Sequence, residues 1–211
     1  MKLTKEAITE TSRVKRLNLI NAVTGVKPAN LVGTKSKSGN TNVAIFSSVV
    51  HLGSHPALLG FFMRPQHEVR RDTYHNIVET SSYTINQVHT DFVANAHYTS
   101  AKFEQLESEF EKCHLDEEYI DGFYAPFVKQ SRIKLAMKLQ DVIPLSINKC
   151  SLLIGSIEYL DVADEFVDKN GEVDLELLNA AGIGGLNRYY ELKEIANFPY
   201  ARVTDLPNFD T

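Results

Sequence analysis

The chain has 211 residues, 43% of them apolar and 23% charged, which excludes global disorder and leaves enough chain for one sizeable core without metal or disulfide staples. One domain is the default and two small ones are the alternative. Lysine and arginine total 22 against 27 aspartates and glutamates, a formal net charge of −5 that argues against nucleic-acid or anionic-membrane binding, since both need a basic footprint.

Leu3 to Ala22 mixes polar and apolar residues at helical spacing and predicts a short N-terminal helix. After Gly25, Ala29 to Val50 predicts a hairpin: two β-branched and aromatic flanks around a Ser/Gly/Asn turn at Ser36 to Asn40. Ala57 to Met63 is an apolar run of strand length closed by Arg64-Pro65. Asp72 has the chemistry of an N-cap, and Tyr74, Ile77 and Val78 line one side of a helix over Thr73 to Thr80. Tyr83 to Val88 alternates as a strand, and Asp91 to His97 and Phe103 to Lys112 read as helices. From Lys134, apolar Leu135, Met137 and Leu139 alternate with Lys138 and Gln140, a strand that Pro144 interrupts. Ser151 to Leu160 follows as a strand, Asp168 to Gly171 as a turn, and Asp174 as an acidic helix start. Six or seven strands with few helices between them favour an antiparallel barrel or sandwich over a parallel βαβ fold.

Several motifs fail on their spacing. Gly182-x-Gly184-Gly185 lacks the dinucleotide fingerprint, and Gly33-Thr34-Lys35-Ser36 lacks the phosphate-loop register. Around Gly171 an EF-hand count puts Phe166 and Leu177 at ligand positions, so calcium has no cage. The seven histidines form no H-E-x-x-H and no carboxylate-supported triplet, so no metal site is expected. Cys113 and Cys150 have no C-x-x-C spacing and read as free thiols in a reducing compartment. No apolar run approaches the ~18 residues of a membrane span and the first residues have no apolar leader core, so the expectation is a cytoplasmic protein with no membrane partner.

One constellation in this acidic chain has anion-binding chemistry. Ser47 and Ser48 close the second hairpin strand, Arg64 closes the next, and Arg70, Arg71 and Thr73 lead into a helix start. Helix N–H groups beside a hydroxyl and guanidinium groups suit a phosphate dianion, and a solvated loop before a capped helix explains the same residues equally well.

The order TNVAIFSS (Thr41 to Ser48), His55-Pro56, ALLGFFMRP, RRDTYHNI (Arg70 to Ile77) and NAHYTSAKFE (Asn95 to Glu104) resembles the flavin reductase-like family of FMN-binding split barrels. The likeness continues through SEFEK, APFVKQS, DKNGEVDLELL and GGLNRYY, from about Leu31 to Tyr190. It implies a mainly β protein, a six-stranded antiparallel Greek-key split β-barrel with a few peripheral helices, forming a homodimer with FMN near the subunit interface. Its implied limits are an N-terminal helical lead-in at 1–25, an FMN-binding domain at 26–190 and a C-terminal arm at 191–211. It further implies that Asn42, Ala44 and Phe46 line the flavin edge, that Ser47, Ser48, Arg64, Arg71 and Thr73 hold the ribityl phosphate, and that Asn76 braces the loop. Asn95, Tyr98 and Tyr189 border the pocket or the dimer interface. Where many members carry glutamate, cysteine and proline, this chain has Ala136, Met137 and Arg132, which leaves that strand a packing role. The implied activity is hydride transfer from NADH or NADPH to flavin N5, with no acid or base side chain required. The alternatives are a flavin-carrying electron-transfer protein fed by a partner protein, and a split-barrel binding module without redox activity.

Overall fold

The computed structural model describes residues 1–66, 70–104, 107–120 and 122–209. The chain begins with two helices, α1 (Lys5–Glu10) and α2 (Arg13–Ala22), where a single one is predicted. The backbone turns extended at Thr11, and Arg16 Nη1 reaches back to the carbonyls of Thr9 and Thr11 at 2.7 and 2.8 Å, fixing the break. Neither helix buries a side chain.

Five strands follow: β1 (Val26–Pro28), β2 (Asn30–Lys35), β3 (Thr41–Phe46), β4 (Val50–Ser54) and β5 (Ala57–Met63). Helix α3 (Asp72–Thr80) and strand β6 (Ser82–Gln87) come next, then a 3-10 turn at Thr90–Phe92 that leads into α4 (Val93–Tyr98). After α5 (Glu109–Lys112) and the short β7 (Glu117–Glu118) and β8 (Phe127–Val128) come the two long strands β9 (Ile133–Pro144) and β10 (Ser151–Val162). A last hairpin pairs β11 (Ala181–Gly184) with β12 (Arg188–Glu191).

The main sheet is antiparallel throughout, with seven strands in the order β3-β2-β6-β9-β10-β5-β4, so the mainly β architecture holds with one strand more than the six expected. The extra strand is β4, which pairs with β5 through a bulge between His51 and Gly53. Its residues are almost all exposed, which leaves no apolar alternation for a sequence reading to find. The sheet lies between two cores. On one side Val32, Phe61, Ile77, Tyr83, Met137 and Leu153 pack together. On the other, Leu31, Val43, Phe92, Phe110, Val128 and Ile183 do so. Neighbouring residues Leu31 and Val32 thus serve opposite cores, and β2 is buried at five consecutive positions. Gly33 is required there, because a Cβ would run into the Pro126 carbonyl and the Thr84 hydroxyl.

Three predicted elements are corrected. The Phe103 to Lys112 helix is helical only from Glu109; Gln105 and Leu106 lie outside the described residues. Upstream, the Glu107 carboxylate accepts the Glu104 N–H and pairs with Lys112, local bonds that compete with a helical backbone. The acidic segment at Asp174 forms hydrogen-bonded turns, with Leu178 N–H on the Asp174 carbonyl, and runs directly into β11. The Asp72 side chain does not cap α3; it is drawn to Arg70 Nε at 2.8 Å, and Arg71 occupies the cap position by its backbone alone.

Candidate functional site

Strand β3 alternates between the two cores. Val43 and Ile45 pack on the α4/α5 side, so Asn42, Ala44 and Phe46 share the opposite face. Phe46 meets Phe61 edge-on at 4.9 Å, and Phe61 meets Tyr83 at 5.8 Å, which anchors the far end of that face in the core. At its near end Asn42 is buried against the start of α3, where its side-chain amide lies 3.0 Å from Thr73 Oγ1. Asn76, one turn further along α3, donates from Nδ2 to Thr34 Oγ1 at 3.1 Å and so ties the helix to β2.

Arg71 is the residue that the packing leaves unsatisfied. Its Nε is buried, and among the described residues it has no hydrogen-bond partner. Arg70 beside it is spent on Asp72. A buried guanidinium N–H with no acceptor is costly unless an acceptor arrives from outside, and an anion is the natural one. Thr73 is two residues on, in the first turn of α3, where backbone N–H groups have no intrahelical acceptor and the helix dipole favours negative charge. The residues present therefore fit a phosphate.

The structure thus groups Asn42, Arg71, Thr73 and Asn76 at the start of α3, and continues the face through Ala44 and Phe46. Ser47 and Ser48 follow β3, and the Ser48 hydroxyl is engaged with β5: it accepts the Phe62 N–H at 3.1 Å and lies 3.4 Å from the Phe62 carbonyl. Arg64 is exposed after β5, and its carbonyl accepts from Gln66. Asn95, Tyr98 and Tyr189 belong to the α4 side. Asn95 Nδ2 donates to the Cys113 carbonyl at 2.8 Å, the Tyr189 hydroxyl meets His97 Nδ1 at 3.1 Å, and Tyr98 is exposed. Burial pushes the Tyr189 phenol up to about 12, so it stays protonated.

Glu109 was not singled out from the sequence. Its Oε2 accepts the Val43 N–H at 3.3 Å, behind the strand that carries Asn42. Burial, with Asp72 adding repulsion, pushes its carboxyl up to about 7. Only its place in the SEFEK segment pointed toward it; no spacing rule joins residue 109 to residue 43. Ala136 and Met137 are buried in packing, and Arg132 bonds the Leu178 carbonyl and Asp91 at 2.8 and 2.9 Å.

A concavity of about 140 Å³ opens between the β2–β3 turn and α3. Asp72, Glu79 and Glu107 stand in its wall and oppose a dianion there. Two larger hollows, of about 700 and 690 Å³, lie by Glu176 and Glu194 and between α2 and the β11–β12 turn, away from these donors.

The model of the flavin reductase like domain matches residues 26–180. The chain belongs to that family. A candidate flavin reductase with a split-barrel domain from Shewanella frigidimarina superposes with a TM-score of 0.91 at 42% identity, over 95% of this chain and all of that one. Nitrilotriacetate monooxygenase component B from Bacillus cereus shares the fold, with a TM-score of 0.83 at 23% identity over 94% of this chain and 98% of that one. An uncharacterised protein of Halalkalibacterium halodurans is 29% identical over 194 residues, 90% of this chain and 91% of its own. The split barrel and the flavin reductase-like assignment are thereby established, and a flavin is the cofactor class. Among the described residues no helix is long and apolar enough to cross a membrane.

Proposed function

We propose that this protein is an FMN-binding oxidoreductase of the NAD(P)H:flavin reductase type. The observation that carries the reading is the buried Arg71 Nε, without a partner among the described residues, two residues before Thr73 at the start of α3, in a chain of the flavin reductase-like family. FMN would supply the redox chemistry when bound, as the acceptor of a hydride from NADH or NADPH. The chain's own residues bind and orient. Arg71 and Thr73 hold the phosphate tail, with Arg64 and Ser47 contributing as the tail's neighbours. Asn42 sets the Thr73 hydroxyl, and Asn76 keeps α3 on β2. Ala44 and Phe46 bear on the flavin edge, where backbone N–H groups of β3 offset negative charge at the pyrimidine side. No side chain acts as acid or base.

The reading includes the domain limits 26–190, a lead-in at 1–25, an arm at 191–211, a cytoplasmic address and a homodimer. The arm supports the last, since Ile195, Phe198, Tyr200, Val203 and Phe209 are from 81% to 95% exposed in the single chain, apolar side chains that a partner subunit would cover. A visible spectrum of the purified protein, followed by steady-state NADH and NADPH oxidation with added FMN, tests the function. Yellow protein with FMN-dependent turnover is expected. Protein that stays colourless with added FMN overturns the reading, and yellow protein without turnover moves it to a carrier reduced by a partner protein.

A further inference from the structure

Two exposed patches of opposite charge stand at the two ends of the small β1-β11-β12 sheet. At one end the lead-in helices are basic in an acidic chain: Lys2, Lys5, Arg13, Lys15 and Arg16 stand against Glu6 and Glu10. Among them Val14, Leu17, Ile20 and Val23 are from 46% to 68% exposed. The hollow of about 690 Å³ between α2 and the β11–β12 turn has Lys15 and Arg188 in its wall and no carboxylate. At the other end of the hairpin, where β12 passes into the arm, the hollow of about 700 Å³ has Asp174, Glu176 and Glu194 in its wall and no cation. Leu177 and Ile195 line it and are exposed.

Neither set of charges is neutralised within the chain. Among the described residues no salt bridge reaches Asp174, Glu176 or Glu194, and none reaches a base of the lead-in. The carboxylates make local bonds alone: Glu176 Oε2 accepts the Glu194 N–H at 2.9 Å, and Asp174 Oδ1 the Leu177 N–H at 2.8 Å. Lys193 is beside Glu194 in the chain and lines neither hollow. The lead-in is pinned at its own end of the sheet, because Lys27 Nζ on β1 holds the Asn21 carbonyl and the Thr24 hydroxyl at 2.7 and 3.0 Å. Its own acidic hollow therefore stays uncovered.

On the homodimer reading, we propose that two copies join by exchanging these ends: the basic, apolar lead-in helices of each copy dock on the acidic hollow and arm of the other. A two-fold axis makes such contacts reciprocal, since a patch that meets its complement on the partner offers the partner the same contact. Patches at opposite ends of one short sheet satisfy this when the axis runs between the copies, perpendicular to the strands. Both contacts then form at once. Charge sets the orientation, and Val14, Leu17 and Ile20 against Leu177, Ile195 and Phe198 supply the apolar burial. A foreign partner would match one patch; a second copy matches both.

The test is sedimentation velocity on the full chain with a charge-swap pair, Arg13→Glu with Lys15→Glu in one variant and Glu176→Lys with Glu194→Lys in the other. All four residues are exposed and none belongs to the flavin site. The wild type is expected to be a dimer. Each variant alone sets like charges together in both contacts, and its dimer Kd is expected to rise by about tenfold or more. In an equimolar mixture the mixed dimer has opposite charges in both contacts again, and its Kd is expected to return to within about threefold of the wild type. Variants that dimerise as the wild type does, or a mixture as monomeric as its components, overturn these faces and leave the homodimer reading standing. A wild type that is monomeric throughout overturns both. Should a variant fail to fold, carbodiimide coupling of mixed isotope-labelled and unlabelled wild type decides. Amide links from Lys15 to Glu176 or Glu194 are expected between a labelled and an unlabelled chain; their absence, or their confinement to single chains, overturns the proposal.

Discussion

Asn42 on β3 and Thr73 on α3, 31 residues apart in the chain, meet side chain to side chain at 3.0 Å inside the protein. That contact joins the strand face proposed for the flavin ring to the helix start proposed for its phosphate. Arg71 shares the same helix start, and its buried Nε has no partner among the described residues.

Replacing Arg71 should therefore cost affinity without costing fold. Arg71→Ala is expected to weaken FMN binding by about 1.5–3 kcal/mol, the range for a charge-assisted hydrogen bond, and to leave riboflavin binding unchanged. Thr73→Ala should act in the same direction, with a further loss of stability because it strands the Asn42 amide. Fluorescence titration with both flavins measures the first effect and urea denaturation the second. Unchanged FMN affinity in both variants would remove the phosphate assignment.

The pH dependence of stability carries the signature of Glu109. Its carboxyl titrates at about 7 in the folded chain against an ordinary 4.5. Between those values the folded state holds more protons than the unfolded one, so stability falls as pH rises from about 4.5 to 7 and stays low above. Glu109→Gln should then match the wild type near pH 5 and exceed it near pH 8, by on the order of 1–2 kcal/mol once partial exposure of the side chain is allowed for. His89, buried and held below its ordinary range, has the opposite slope as pH drops through about 6.5, and it cancels in the difference between the two proteins. Urea midpoints at the two pH values measure it.

Tyr83 and Gly155 make a second test of packing. The Tyr83 hydroxyl is buried without a partner among the described residues, and a Cβ at position 155 would strike it. Gly155→Ala should destabilise by about 1–3 kcal/mol, as overpacking does. Tyr83→Phe should be neutral or mildly stabilising, since no hydrogen bond is lost. In the double variant most of the Gly155→Ala cost should vanish, and additive effects in thermal denaturation would contradict the close approach.

Ser131→Ala serves as the silent control. The Ser131 hydroxyl is buried and makes no hydrogen bond among the described residues, so its removal should leave FMN affinity unchanged and the Tm equal or slightly raised. A large loss of either would mean that the hydroxyl has a role its surroundings do not show.

Local patterns carried the first strands and β9. The alternation at Leu135, Met137 and Leu139 is legible as period two, Ala57–Met63 as an apolar run of strand length, and the β2–β3 hairpin by its Ser/Gly/Asn turn between β-branched and aromatic flanks. Strand β11 was not, for Ala181–Gly184 has two glycines in four residues and becomes a strand only by pairing with β1 and β12. The Asp174 segment failed for a related reason: acidic residues near a helix start are equally at home in a chain of turns, and the neighbouring β11 decides which.

The amino-acid order by itself determined the antiparallel class, the approach to α3 with its arginines and threonine, and the kinship that names a flavin. Those are properties of neighbours along the chain or of segment order. Only the tertiary structure decided which polar groups are left wanting a partner. Arg70 is neutralised by Asp72 while Arg71 keeps a buried Nε that has no partner among the described residues, Ser48 is claimed by Phe62, and Glu109 comes to face Asn42 from 67 residues away. Burial and hydrogen-bond satisfaction depend on what the fold brings alongside, and that sum over distant segments is not encoded at any one position.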